Sequence, residues 1–172
     1  MDATPVSNDA AKTASVLLPL GIPCIRVWGV TNNVCRCPKG ADCPSPGKHP
    51  IGGAWQNNPI ASADQVQPGD NLGVLLGPNS GVVDIEFDDP AGEARARELG
   101  LFESETVSFT SGKSRHWLFR YDPDLPQKAV VPSKMTGSLE IRIGAEGGAQ
   151  SVLPGSTHAS GKQYAWVEGC EP

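Results

Sequence analysis

The sequence has no apolar run near the roughly 20 residues that a membrane-spanning helix needs. Its first fifteen residues, Met1 to Ser15, lack both a positively charged start and a long apolar core. No secretory signal is therefore expected, and a cytoplasmic setting (that of the host, if the chain is phage-encoded) is. Positive charge is scarce as well. Lys and Arg number 14 against 19 Asp and Glu, a net charge of −5, which argues against a protein that holds nucleic acid by phosphate contacts alone. Charged residues make up only 19%, and hydrophobic ones 38%, so the chain is not expected to be disordered throughout. There is no internal repeat. Glycine and proline are plentiful instead, at 20 and 16 of 172 residues. That content points to one domain, residues 1–172, built from short strands and many turns.

The charge is unevenly spread. Acids dominate from Asp84 to Glu105, and bases lead from Thr110 to Arg142. Adjacent clusters of opposite sign could serve cations and phosphates together, although ordinary surface charge accounts for them equally. Three of the five cysteines, Cys35, Cys37 and Cys43, crowd into one Pro- and Gly-rich stretch with His49 close behind. In a chain without a secretory signal this reads as metal binding rather than disulfide formation. Three thiolates and an imidazole complete a tetrahedral set for structural Zn²⁺, which would staple the loop 35–49. Cys24 is an alternative to His49 as the fourth ligand.

The elements follow from pattern. Ala10, Ala14, Leu17 and Leu18 place an apolar stripe on a short helix, Asp9 to Leu18, which Pro19 ends. Cys24 to Val30 reads as a strand. Leu72 to Leu76 and Gly81 to Phe87 read as two strands joined by Gly77-Pro78-Asn79-Ser80, followed by a helix from Pro90 to Leu99. Further strands are expected at 106–110, 116–121, 138–143, 149–153 and 163–167. The stretch 122–134 is expected to be an exposed loop.

Within Val82-Val83-Asp84-Ile85-Glu86-Phe87, period-two alternation puts Asp84 and Glu86 on one face and Val83, Ile85 and Phe87 on the other. Neighbouring carboxylates repel unless a cation lies between them or one is protonated. Mg²⁺ and Mn²⁺ favour such oxygen ligands. Leu139-Glu140-Ile141-Arg142-Ile143 repeats the pattern, with Glu140 and Arg142 sharing a face. If the two strands are near one another, three carboxylates converge. The bland alternative is an antiparallel sheet with one wet face and an Arg142–Glu140 salt bridge. Between these strands lies Thr110-Ser111-Gly112-Lys113-Ser114-Arg115-His116. Its glycine turn exposes backbone N–H groups, Lys113 and Arg115 add positive charge, and Ser114 and His116 share a face. His116 alone would as readily be structural.

Taken in order, Val82 to Glu86, Ser114-Arg115-His116 and Glu140-Ile141-Arg142 resemble the three motifs of the bifunctional primase–polymerase domains in the archaeo-eukaryotic primase superfamily, phage and plasmid type. Asn71-Leu72-Gly73-Val74, Gly47-Lys48-His49-Pro50 and Val152 to His158 resemble flanking segments. The third acid is usually Asp in that family, and Glu140 stands here instead. The resemblance implies an α+β fold with a mixed or antiparallel sheet, an RRM-like core, few helices and the zinc-stapled loop. It implies a DNA primase and polymerase that joins nucleoside triphosphates on a DNA template. Asp84, Glu86 and Glu140 would hold Mg²⁺ or Mn²⁺, with His116 beside them. Ser114, His116 and Arg142 would hold the triphosphate, with Lys113 and Arg115 nearby. A helicase domain in a larger replication protein is the expected partner. A non-catalytic zinc-bearing module that binds nucleotides or DNA, and a metal-dependent nuclease, remain alternatives.

Overall fold

A computed structural model describes residues 9–112 and 114–172. Helix α1 spans Asp9–Leu17 and buries Ala10, Thr13, Ala14 and Leu17, the spacing of one helical face. A 3₁₀ turn carrying Pro19 follows, and Gly21 at φ +78° stops it. The strands are β1 (Cys24–Val27), β2 (Val30–Thr31), β3 (Val34–Cys35), β4 (Asn71–Leu76), β5 (Val82–Phe87), β6 (Ser108–Thr110), β7 (Arg115–Arg120), β8 (Val130–Val131), β9 (Glu140–Arg142), β10 (Ala149–Val152) and β11 (Ala165–Trp166). Helix α2 (Pro90–Glu98) is capped by Asp89, whose Oδ1 accepts from Gly92 N at 2.7 Å, with Pro90 in the first turn. Helix α3 (Ser133–Thr136) is a single turn. No described helix is long and apolar enough to cross a membrane.

The architecture is α+β, and every strand pairing described is antiparallel. A three-stranded sheet runs β1-β4-β10, a six-stranded sheet runs β11-β6-β7-β5-β9-β8, and β2-β3 is a small hairpin. Consecutive strands β4 and β5 thus belong to different sheets. Only one bridge, Gly77 to Val82, joins their ends. Gly77, at φ +124°, approaches Gly144 so closely that a Cβ there would lie 2.5 Å from the Gly144 carbonyl oxygen. The chain is steered out of hairpin register at that point.

Several boundaries differ from the sequence reading. The strand from Cys24 ends at Val27, because Val30–Thr31 turns away to pair with Val34–Cys35. The stretch 122–134 is not all loop. Val130 and Val131 add an edge strand to β9, and α3 begins at Ser133. Strand β11 keeps only Ala165–Trp166, paired to Phe109 and Thr110.

The main core gathers α1 and the three-stranded sheet through Leu17, Ile25, Val27, Leu72, Val74 and Leu153, with Phe109 from the larger sheet. A second core covers the other face of the six-stranded sheet. There Phe87, Trp117 and Leu139 pack under Ala96 of α2, with Phe102 edge-on to Trp117. The six-stranded sheet therefore has no wet face at its centre. One face is apolar against α2, and the other turns inward toward β10.

Candidate active site

The inward face carries the acids. In β5, Asp84 and Glu86 alternate with Val83, Ile85 and Phe87, as period two requires, but both carboxylates are buried, at 0% and 4% exposure. Across the ladder Glu86 faces His116 of β7 on one side and Glu140 of β9 on the other. Asp84 faces Arg142 in β9. The ladder thus brings together the acid pair, His116, Glu140 and Arg142, from three strands distant in sequence.

His116 bridges the acid pair, with Nδ1 2.8 Å from Asp84 Oδ2 and Nε2 3.0 Å from Glu86 Oε2. Phe109 stacks on its ring at 4.5 Å, nearly parallel. Burial pushes the imidazole pKa down, but the charge and hydrogen bond of Asp84, then those of Glu86, outweigh it and raise the value to about 9. Burial likewise pushes the Glu86 carboxyl up. The hydrogen bond and charge of His116 and the charge of Arg142 overcome this and hold it well below the usual carboxylate range.

Arg142 pairs with both Glu86 and Glu140; its Nε lies 2.9 Å from Glu140 Oε1, and its Nη2 donates to Glu86 Oε1. Glu140 is the more exposed acid. Burial and the neighbouring Glu86 charge raise its pKa against the pull of Arg142. Asp84, Glu86 and His116 have ligand atoms within 4.8 Å of one another. Glu140 stands outside that tight group, beside Glu86 and tied to Arg142.

Asp84 carries the sharpest sign of a missing ligand. Its Oδ2 accepts from His116 Nδ1 and from the Ser151 hydroxyl of β10. Its Oδ1 is buried with no hydrogen-bond partner among the described residues. An ionised, buried oxygen left unsatisfied is costly, and a cation is the group that satisfies it. The acid group therefore fits a hard divalent ion.

Glu86, His116 and Arg142 line a small recess together with Lys48, Asp88, Ser111, Ser114, Gln150 and Tyr164, while Asp84, fully buried, does not line it. Ser114 Oγ lies 3.4 Å from His116 Nε2 and shares a hydrogen bond with Ser111 Oγ. Arg115 lies elsewhere. Alternation turns it to the opposite face, where its guanidinium sits 5.0 Å from the Phe102 ring and 5.1 Å from Trp117. Lys113 falls outside the described residues. Ser151 and Gln150 carried no mark in the sequence as site residues, because β10 reads only as a short alternating strand. Lys48 reads in the sequence as a lysine that could face DNA or a triphosphate, with a solvated surface lysine as the ordinary alternative.

At the other end of the chain segment that supplies Lys48, Cys35, Cys37, Cys43 and His49 also bring four ligand atoms within 4.8 Å of one another. Cys43 Sγ is 3.6 Å from His49 Nδ1. Two ligands of a tetrahedral zinc at about 2.3 Å (sulfur) and about 2.0 Å (nitrogen) stand about 3.6 Å apart. Burial raises the thiol pKa of both Cys35 and Cys43. Hydrogen bonds from the backbone of Cys37 and Gly47 then bring Cys35 below its ordinary value, while the neighbouring thiols keep Cys43 above it. Cys24 is no part of this group; it is fully buried in β1 within the main core.

The antiparallel sheet thus sets two buried acids, a histidine and an arginine beside a polar recess, and both this group and the cysteine–histidine cluster are of a kind that could hold a metal ion. The sequence pattern of one family, bifunctional DNA primase/polymerase, N-terminal, matches residues 9–172. The chain belongs to that family, which supports nucleotidyl transfer with DNA and nucleotides as substrates in general terms. No curated protein matches the chain.

Proposed function

We propose that this chain is a template-dependent nucleotidyltransferase, a DNA primase and polymerase working by a two-metal mechanism. The observation that carries the reading is the buried Asp84–Glu86 pair bridged by His116, with Asp84 Oδ1 unsatisfied among the described residues and Glu86 lining a recess that also holds cationic and hydroxyl groups. Asp84, Glu86 and Glu140 are the residues to hold Mg²⁺ or Mn²⁺. When bound, such ions would supply activation of the primer 3′-hydroxyl, or that of a first nucleotide, and charge stabilisation for the pyrophosphate leaving group.

The protein's own groups set the geometry. Ser151 and His116 hold Asp84 by one oxygen and leave the other without a hydrogen-bond partner among the described residues. His116 keeps Asp84 and Glu86 together as a unit. Ser114, His116 and Arg142 supply donors to the triphosphate, and Lys113 and Arg115 adjoin Ser114 in the sequence. Cys35, Cys37, Cys43 and His49 hold structural Zn²⁺. Residues 1–172 form one domain of a larger phage or plasmid replication protein, in the cytoplasm of the host. Its acidic balance fits weak template binding by the domain alone, with a helicase domain as the source of processivity.

Template-directed primer extension tests the proposal. Wild-type protein incorporates nucleotide only with divalent metal, and Asp84→Ala and Glu86→Ala each lower the rate by at least about 10²-fold. Undiminished extension in both variants removes the catalytic assignment. Metal-dependent cleavage of labelled DNA without added nucleotide would replace it by a nuclease.

A further inference from the structure

Lys48 lines the recess together with Glu86, Ser114, His116 and Arg142, but it arrives from the cysteine-rich segment and not from the six-stranded sheet. Its backbone is held on both sides. Asn71, buried at 2% exposure, donates to the carbonyl of Gly47 at 2.8 Å and to that of Thr157 at 2.9 Å. Gln150 donates to the carbonyl of Lys48 itself at 2.8 Å. Next along the chain, the His49 carbonyl accepts from Trp28 N at 3.0 Å, and the His49 ring faces Cys43. Gly47 has φ +72°, and a Cβ there would lie 2.7 Å from Val30 Cγ2. The chain path is thus fixed on either side of Lys48, while the residue itself stays exposed.

Charge separates Lys48 from the other cations of the recess. Arg142 is already shared between Glu86 and Glu140, and His116 between Asp84 and Glu86. Lys48 makes no ion pair among the described residues. A polyanion entering the recess therefore meets in Lys48 a cation that need not first release a carboxylate. A compact ammonium on a flexible stem suits a phosphate chain, provided its anchor is fixed. That anchor is one residue away from His49.

We infer that Lys48 binds the triphosphate tail of the incoming nucleotide, and that the Cys35, Cys37, Cys43 and His49 cluster, when it holds its ion, fixes Lys48 for that task. The inference rests on the recess being the triphosphate site proposed above. The ion orders the segment from Ser45 to Pro50, so the lysine does not lose that freedom on binding nucleotide. Coupling of this kind is reciprocal: triphosphate must in turn strengthen retention of the zinc by the same factor.

The test combines two equilibrium measurements on wild type, Lys48→Ala and Lys48→Arg, with zinc content determined on the same samples. Calorimetry with a non-hydrolysable deoxynucleoside triphosphate and Mg²⁺ gives nucleotide affinity. Competition with a chromogenic chelator, with and without that nucleotide, gives zinc affinity. Lys48→Ala is expected to keep full zinc and lose about tenfold in triphosphate affinity, while Lys48→Arg retains most of it. Nucleotide should tighten zinc about fivefold or more in wild type and leave it unchanged in Lys48→Ala. Equal triphosphate affinity in wild type and Lys48→Ala overturns the role of Lys48. Equal tightening of zinc in both overturns the coupling. Absence of triphosphate binding by the wild type overturns the reading of the recess, and this inference with it.

Discussion

Two kinds of buried cysteine occur among the described residues, and their surroundings set them apart. Cys24 lies in an apolar core strand, where burial pushes its thiol up to about 12. Its sulfur has only the carbonyl of Ile22 as a partner, at 3.6 Å. Cys35, Cys37 and Cys43 are buried against one another and against Trp28. The neutral Cys24 thiol is therefore packing, and its protonation is linked to folding. A raised folded-state value means that the unfolded chain holds fewer protons above the ordinary thiol pKa. The stabilisation is complete below about pH 9 and is lost as pH rises toward 12. Urea unfolding of zinc-loaded protein should show a decline of a few kcal/mol across that window, and Cys24→Val should remove that share of the decline. Identical alkaline slopes in the two proteins would contradict this account of Cys24.

The strands show which parts of the site could be read in advance. Alternation in β5 and β9 assigned Asp84, Glu86, Glu140 and Arg142 to common faces, because a pleated strand leaves no other choice. The same alternation sends Arg115 away from Ser114 and His116, although nearness in sequence had grouped the three. Pairing between distant strands leaves no such trace. Nothing near Ser151 marks it as the donor to Asp84, and β4 and β5 look like a hairpin until Gly77 and Gly144 take them into separate sheets. The cysteine segment was legible in outline, since four ligands within fifteen residues have few other uses. Lys48 could be read there as a lysine facing DNA or a triphosphate, but the hydrogen bonds that bring it to the recess left no trace. This segment has little regular structure, with two-residue strands and a 3₁₀ turn at Gly40–Asp42, so its order should depend on metal. Removing zinc with a chelator should accelerate amide hydrogen exchange at residues 35–51 by at least about tenfold, and leave β5 and β7 protected. Unchanged exchange in 35–51 would show that the loop is held by packing alone.

Across the whole molecule, the two larger sheets have different duties. The three-stranded sheet and α1 form the main core, and the six-stranded sheet carries the acids between its own apolar back and β10. Glu86 and His116 line a recess that Lys48 of the cysteine segment also lines, and Asp84 is fully buried against His116. A divalent ion on this acid pair would compete with His116 for the same oxygens. The central claim is that such an ion takes its place on Asp84 and Glu86. Anomalous diffraction from crystals soaked with Mn²⁺ and a non-hydrolysable nucleoside triphosphate tests it most directly. Manganese is expected within direct coordination distance of carboxylate oxygens of Asp84 and Glu86, with the phosphates alongside Ser114 and Lys48. Both carboxylates still closed onto His116, with manganese bound only elsewhere, would contradict it.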